Sequence, residues 1–139
     1  MYSIKEGNIV IRTMQIGDVA NYIALFNYSP RERNIFYTSI KNNLKERKED
    51  EPNLYFVILK DSKVIGGIAA IAFEKSLCDA VIKIDLPGKK ELMDEIKNLF
   101  VKLARETYFF DDIYFEERVN SFGEPVLSKV VHIADSSRW

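Results

Sequence analysis

The residue types that carry most enzyme chemistry are scarce in this chain. His132 is the only histidine and Cys78 the only cysteine among 139 residues. One of each cannot build the usual zinc set, and no carboxylate run has calcium-loop spacing, so no metal site is expected. A Cys–His nucleophile needs its two members within hydrogen-bond reach, and nothing in the sequence brings Cys78 to His132. Cys78 therefore reads as a small buried hydrophobe, and His132 as a surface or satisfied residue on an alternating strand. There is no Walker loop and no GxGxxG. One anion-binding candidate remains, Lys89-Lys90, directly after Pro87-Gly88. Lysines at a helix start oppose the helix dipole but favour a bound anion. The plainer reading is two solvated side chains.

These residues must be positioned by the elements around them, and the central stretch is Leu54–Phe73. Two apolar runs flank the polar tripeptide Asp61-Ser62-Lys63, which is a hairpin signal. The first run is apolar on both faces, as in a strand buried on both sides. The second contains Gly66-Gly67, the mark of a bulge or of a close backbone approach. Ahead of the hairpin, residues 8–14 alternate and read as a strand, and Asp18 is placed to cap a helix. Val19, Tyr22, Ile23 and Phe26 then form one apolar helical face. Ser29-Pro30-Arg31-Glu32 offers a serine cap, a proline at the first helical position and a glutamate to close a capping box. The helix it opens is expected to turn Ile35, Phe36, Ile40 and Leu44 inward. Residues 45–51 form a solvated run of mixed charge.

Beyond the hairpin, Cys78–Leu86 reads as a strand stopped by Pro87-Gly88. Leu92, Ile96, Leu99, Phe100 and Leu103 mark the strongest helix. Asp112–Glu117 is expected to pair beside the preceding strand, and Val126–Ile133 to close the sheet. Tyr108 and Tyr114 read as packing residues, and residues 135–139 as a frayed tail. The result is an α/β fold: a mixed, mainly antiparallel sheet of about six strands with helices on both faces, in one domain spanning residues 1–139.

The bulk numbers narrow the function classes. Hydrophobic content of 47% with 29% charged residues is ordinary for a soluble globular protein, and a net charge of −1 recommends neither nucleic acid nor an anionic membrane as partner. The longest apolar run falls short of the roughly 20 residues a membrane helix needs. With a lone cysteine and no signal-peptide pattern in the first residues, a cytoplasmic setting is expected.

The order of elements, together with the phrase NLYFVILKDSKVIGGIAAI, resembles the GNAT superfamily of acyl-CoA-dependent N-acyltransferases. Ile9-Val10-Ile11-Arg12 matches the apolar-Arg opening strand of that family, Asp18 its helix-starting aspartate, and Val64-Ile65-Gly66 its hydrophobic-Gly hairpin. The resemblance spans about residues 8–118. It implies acetyl-CoA as co-substrate and a small-molecule or protein amine as acceptor. It implies cofactor contacts at Ile82, Ile84, Gly88, Lys89 and Lys90. Glu74 and Asp79 become the carboxylates best placed as base, and Tyr114 the tyrosine to weigh as acid. The family's [RQ]-x-x-G-x-[GA] loop is altered: Glu91 and Met93 stand where its two glycines belong, and its late tyrosine helix has no counterpart before Gly123. A non-catalytic module of the same fold, binding a small ligand or a protein, is therefore the alternative. A closing strand with an open edge would also invite a homodimer through Val126–Ile133.

Overall fold

A computed structural model describes residues 2–46, 54–72, 79–107 and 110–133. Glu74, Cys78, Tyr108, Trp139 and most of the charge run lie outside these residues. Among these residues an eight-stranded sheet holds the fold together, two strands more than the sequence suggests. The strands are β1 (Ser3–Glu6), β2 (Ile9–Thr13), β3 (Leu54–Lys60), β4 (Lys63–Ala72), β5 (Asp79–Asp85), β6 (Asp112–Val119), β7 (Pro125–Leu127) and β8 (Val131–His132). They run in chain order from β1 to β7, and β8 joins β6. Every pairing is antiparallel except β5 with β6.

The additional strands have local causes. β1 forms a hairpin with β2 across Gly7-Asn8, with Glu6 opposite Ile9 and Gly7 at φ 61°. A positive φ at the first of two loop residues suits glycine, and the Gly-Asn dipeptide is the signal that marks this hairpin in the sequence. At the other edge, the closing strand expected over Val126–Ile133 is divided into β7 and β8. Both lie along β6, and Ser128 bridges them. Its N–H donates to the Phe115 carbonyl at 2.8 Å, and its Oγ accepts from the Phe115 N–H at 2.8 Å.

One face of the sheet packs on α3 (Met93–Thr107), which a single 3-10 turn over Lys90–Leu92 precedes. Ile96, Leu99, Phe100, Leu103 and Ala104 are buried, the stripe that the spacing predicts. Phe100 meets Phe56 of β3 edge-to-face with ring centres 5.5 Å apart, so helix and sheet share one core. The opposite face carries α1 (Val19–Ile23) and α2 (Pro30–Glu46). Ser29 and Glu32 form the expected capping box, each side chain accepting from the other's N–H at 3.2 and 3.3 Å. Here one expectation fails. Ile35 and Phe36 are 56% and 40% exposed, and no residue of α2 is buried. α2 contacts α1 and the turn before it more than the sheet, so its apolar positions gain only partial cover.

Asp18 also departs from its expected role. It closes the 3-10 turn Ile16–Asp18, and its side chain does not cap α1. Its carboxylate instead takes Arg12 Nη1 and Nη2 at 2.7 and 2.8 Å and the Gln15 N–H at 2.9 Å. This fork ties β2 to the start of α1. Those bonds hold the Asp18 carboxyl below its usual range, Arg12 first, with partial burial opposing.

The β3–β4 turn holds a stability lever. Asp61 and Ser62 sit at φ 51° and 66°, the left-handed region. A two-residue turn with both φ positive matches the twist of a hairpin but penalises any Cβ by roughly 1–2 kcal/mol per residue. Asp61 is compensated by its bond from Asn8 Nδ2 at 3.0 Å; Ser62 has no such bond among the described residues. Ser62→Gly is expected to stabilise by about 1 kcal/mol, raising Tm by about 4 °C in a thermal melt.

Candidate functional site

The parallel pair β5/β6 separates partway along. Rungs run from Asp79–Asp112 to Ile82–Phe115 and stop there. β5 continues with Lys83, Ile84 and Asp85 against β4 alone, while β6 continues against β7. A strand that loses a neighbour leaves backbone groups along that edge. The side facing the gap follows from Gly66: a Cβ built there would fall 2.2 Å from the Asp85 carbonyl oxygen, so that carbonyl lies against β4. Alternation along the strand turns the N–H and C=O of Ile84 the other way, toward the space between β5 and β6.

The turn after β5 lies at the far end of this gap. Leu86-Pro87-Gly88-Lys89 closes with the Lys89 N–H donating to the Leu86 carbonyl at 3.1 Å, and Gly88 has φ 71°. These are the marks of a type II turn, with proline and glycine in their preferred places. Lys89 and Lys90 come next, both exposed, at the start of the 3-10 turn that precedes α3. The N–H groups of Gly88, Lys90 and Glu91 have no acceptor among the described residues. Glu91 is exposed in the same turn. Of the resemblance-implied contacts, Gly88, Lys89, Lys90 and Ile84 therefore border the gap or its end. Ile82 lies on the last paired rung with its side chain in the core.

On the α1/α2 face, a cavity of about 260 Å³ adjoins the same stretch of β5. Tyr22 of α1, Tyr55 of β3, Gly67 and Ala69 of β4, Lys83 and Asp85 of β5, and Ile40 and Leu44 of α2 contribute to its walls. Tyr22 donates its hydroxyl to Asp85 Oδ2 at 3.2 Å. Burial, and then the neighbouring Asp85 carboxylate, push the Tyr22 hydroxyl far above its usual range, so it stays protonated. Gly67 makes this contact available. A Cβ there would come within 2.6 Å of the Tyr22 ring. The register shifts between Ile58 and Leu59, opposite Ile65 and Gly66, so this pair of glycines marks both a bulge and a close approach. A row of rings, Tyr22–Phe26–Tyr28–Phe36, runs outward from the cavity with centres 5.2, 5.4 and 4.6 Å apart.

The sequence-derived proton carriers lie elsewhere or cannot be placed. Glu74 is outside the described residues. Asp79 begins β5 opposite Asp112, about 20 Å of strand from Asp85. Tyr114 pairs with Val81 in the part of β6 that stays closed. His132 is tied to Asp112 by a 2.6 Å Nδ1–Oδ1 contact at that same closed end. Tyr22 and Asp85 are invisible to a sequence reading because their contact spans 63 positions and neither carries a local motif. Among the described residues, no group of three His, Cys, Asp or Glu could hold a metal ion. A second hollow of about 660 Å³ runs along α3, with Glu6, Phe115 and Val131 of the sheet also in its wall, and shares no residue with this cavity. No helix among the described residues is long and apolar enough to cross a membrane.

No family profile matches the sequence, and no curated protein matches it. Solved structures do match in fold. RimL, the ribosomal L7/L12 α-N-protein acetyltransferase in complex with coenzyme A, superposes with a TM-score of 0.66 at 12% identity, covering 86% of this chain and 77% of its own. A spermidine N-acetyltransferase chimera of Vibrio cholerae SpeG and human SSAT gives 0.62 at 15%, covering 84% and 73%. The ribosomal-protein-S5-alanine acetyltransferase of Vibrio fischeri gives 0.59 at 18%, covering 81% and 72%. The fold is that of the GNAT acetyltransferases.

Proposed function

We propose that the protein is an acyl-CoA-dependent N-acyltransferase acting on an amine. The observation that carries this reading is the parting of β5 from β6 beyond Ile82, which leaves the Ile84 backbone facing a gap beside a cavity. A pantetheine arm offers amides to such an edge, and one structural neighbour is a coenzyme A complex. Lys89 and Lys90 supply cations at the end of the gap, in place of the glycine-lined cradle that Glu91 and Met93 interrupt. Bound acetyl-CoA supplies an acyl group activated as a thioester. Acyl transfer then requires a proton to leave the amine and one to reach the departing sulfur. Asp85 accepts from the amine. Tyr22, protonated and bonded to Asp85, gives its hydroxyl proton toward the sulfur and is refilled from Asp85. This pair takes the roles that the resemblance implies for Glu74, Asp79 and Tyr114.

The second reading, a non-catalytic module of the same fold, draws on Glu91, a negative charge in the turn where phosphates would lie. One titration separates the two. Acetyl-CoA added to the full chain in a calorimeter is expected to bind in the micromolar range typical of enzyme substrates. Lys89→Ala/Lys90→Ala is expected to weaken binding about tenfold, and the loss to shrink in high salt. No heat and no thermal shift at about 1 mM acetyl-CoA would reject the acyltransferase reading.

A further inference from the structure

The cavity beneath α1 and α2 holds an acid and a base that do not satisfy each other. Lys83 and Asp85 stand two residues apart on one face of β5, about 7 Å of strand, and both line the cavity. Neither enters an ion pair among the described residues, where the pairs are Arg12–Asp18, Lys102–Glu6 and His132–Asp112. Asp85 is half-buried and fixed by Tyr22 through one oxygen, and its Oδ1 has no donor among the described residues. The rest of the wall is mostly apolar: Ile40, Leu44, Ala69 and Ile71 among others. The open Asp85 oxygen can accept from a ligand's cation in a charge-assisted hydrogen bond.

We infer that this cavity binds a small α-amino acid with an apolar side chain. The α-ammonium meets Asp85 Oδ1, the α-carboxylate meets Lys83, and the side chain lies against the aliphatic wall. The volume of about 260 Å³ sits below the range of roughly 300–1,000 Å³ typical of drug-sized ligands, which fits a ligand this small. A polycation is disfavoured, because Lys83 would repel a second ammonium. A simple amine would leave Lys83 unanswered. The inference deepens the acyltransferase reading by naming its acceptor, and it rests on that reading for the transfer step alone. The binding itself needs no cofactor.

Three probes that share one branched alkyl chain test it: L-leucine, isoamylamine, which lacks the carboxylate, and isocaproate, which lacks the ammonium. Each is titrated into the full chain and followed by NMR shifts. Leucine is expected to bind at least about tenfold more tightly than either relative, one charged contact being worth about that factor. Asp85→Asn is expected to weaken leucine and isoamylamine but not isocaproate, and the exposed Lys83→Met to weaken leucine and isocaproate but not isoamylamine. Equal binding of leucine and isoamylamine, or no binding of leucine, overturns the inference. Acetyl-CoA titrated into the same samples reports on the acyltransferase reading separately. Leucine binding without acetyl-CoA binding leaves the amino-acid site standing and removes the transfer.

Discussion

Gly66→Ala is expected to destabilise the fold by about 3 kcal/mol, at the upper end of what a single added methyl costs. The new Cβ would lie 2.2 Å from the Asp85 carbonyl oxygen and 2.9 Å from Leu86 Cδ2. Leu86 could turn aside, but the carbonyl belongs to a strand held by six rungs to β4, from Gly67–Asp85 to Ala72–Ala80. Relief therefore means parting β4 from β5 at the point where β5 has already lost β6. Gly67→Ala makes the useful contrast. Its nearest neighbours are atoms of the Tyr22 ring, on a helix of five residues that can shift. That variant is expected to lose only about 1 kcal/mol while displacing Tyr22 from Asp85. Urea midpoints for the two variants check the order. A Gly66→Ala loss smaller than that of Gly67→Ala would mean that β5 yields more readily than α1.

The same contrast separates what is readable in the sequence from what is not. Burial patterns are legible wherever one element repeats a simple period. The α3 stripe, the two-sided β3 and the capping box at Ser29 and Glu32 all derive from local spacing. α2 misleads because its apolar period at Ile35, Phe36, Ile40 and Leu44 is real, yet no other described element covers its outer half. Periodicity gives the face of a helix, not whether something packs on it. β1 has its local signal in Gly7-Asn8, but the run before that dipeptide is short and polar and does not look like a strand. The split between β5 and β6 leaves no mark in either strand, since a rung is a property of two strands. Tyr22 and Asp85 likewise meet only through the whole sheet. Gly67 is the one local hint, a missing side chain where a ring must lie.

Asp18→Asn is expected to destabilise by about 2–3 kcal/mol at neutral pH, because it leaves the Arg12 guanidinium short of its counter-charge and weakens the bond from the Gln15 N–H. This loss sits below the cost of breaking a fully buried pair because the Arg12 and Asp18 side chains keep 24% and 12% of their exposure. Acid provides the sharper test. The Asp18 pKa is depressed in the folded state, chiefly by the hydrogen bonds from Arg12. A group of this kind contributes its full stability above its unfolded pKa, about 4. The contribution is lost as pH falls through the lower folded value. The gap between wild type and Asp18→Asn is therefore expected to be constant from pH 7 down to about pH 4 and then to close. Arg12→Lys separates charge from shape, since an ammonium keeps the sign but cannot engage both carboxylate oxygens in a planar fork. Its loss is expected to approach that of Asp18→Asn. A lysine variant as stable as wild type would show that β2 and α1 are joined by charge alone, and the two-pronged geometry at Asp18 would then carry little of the energy.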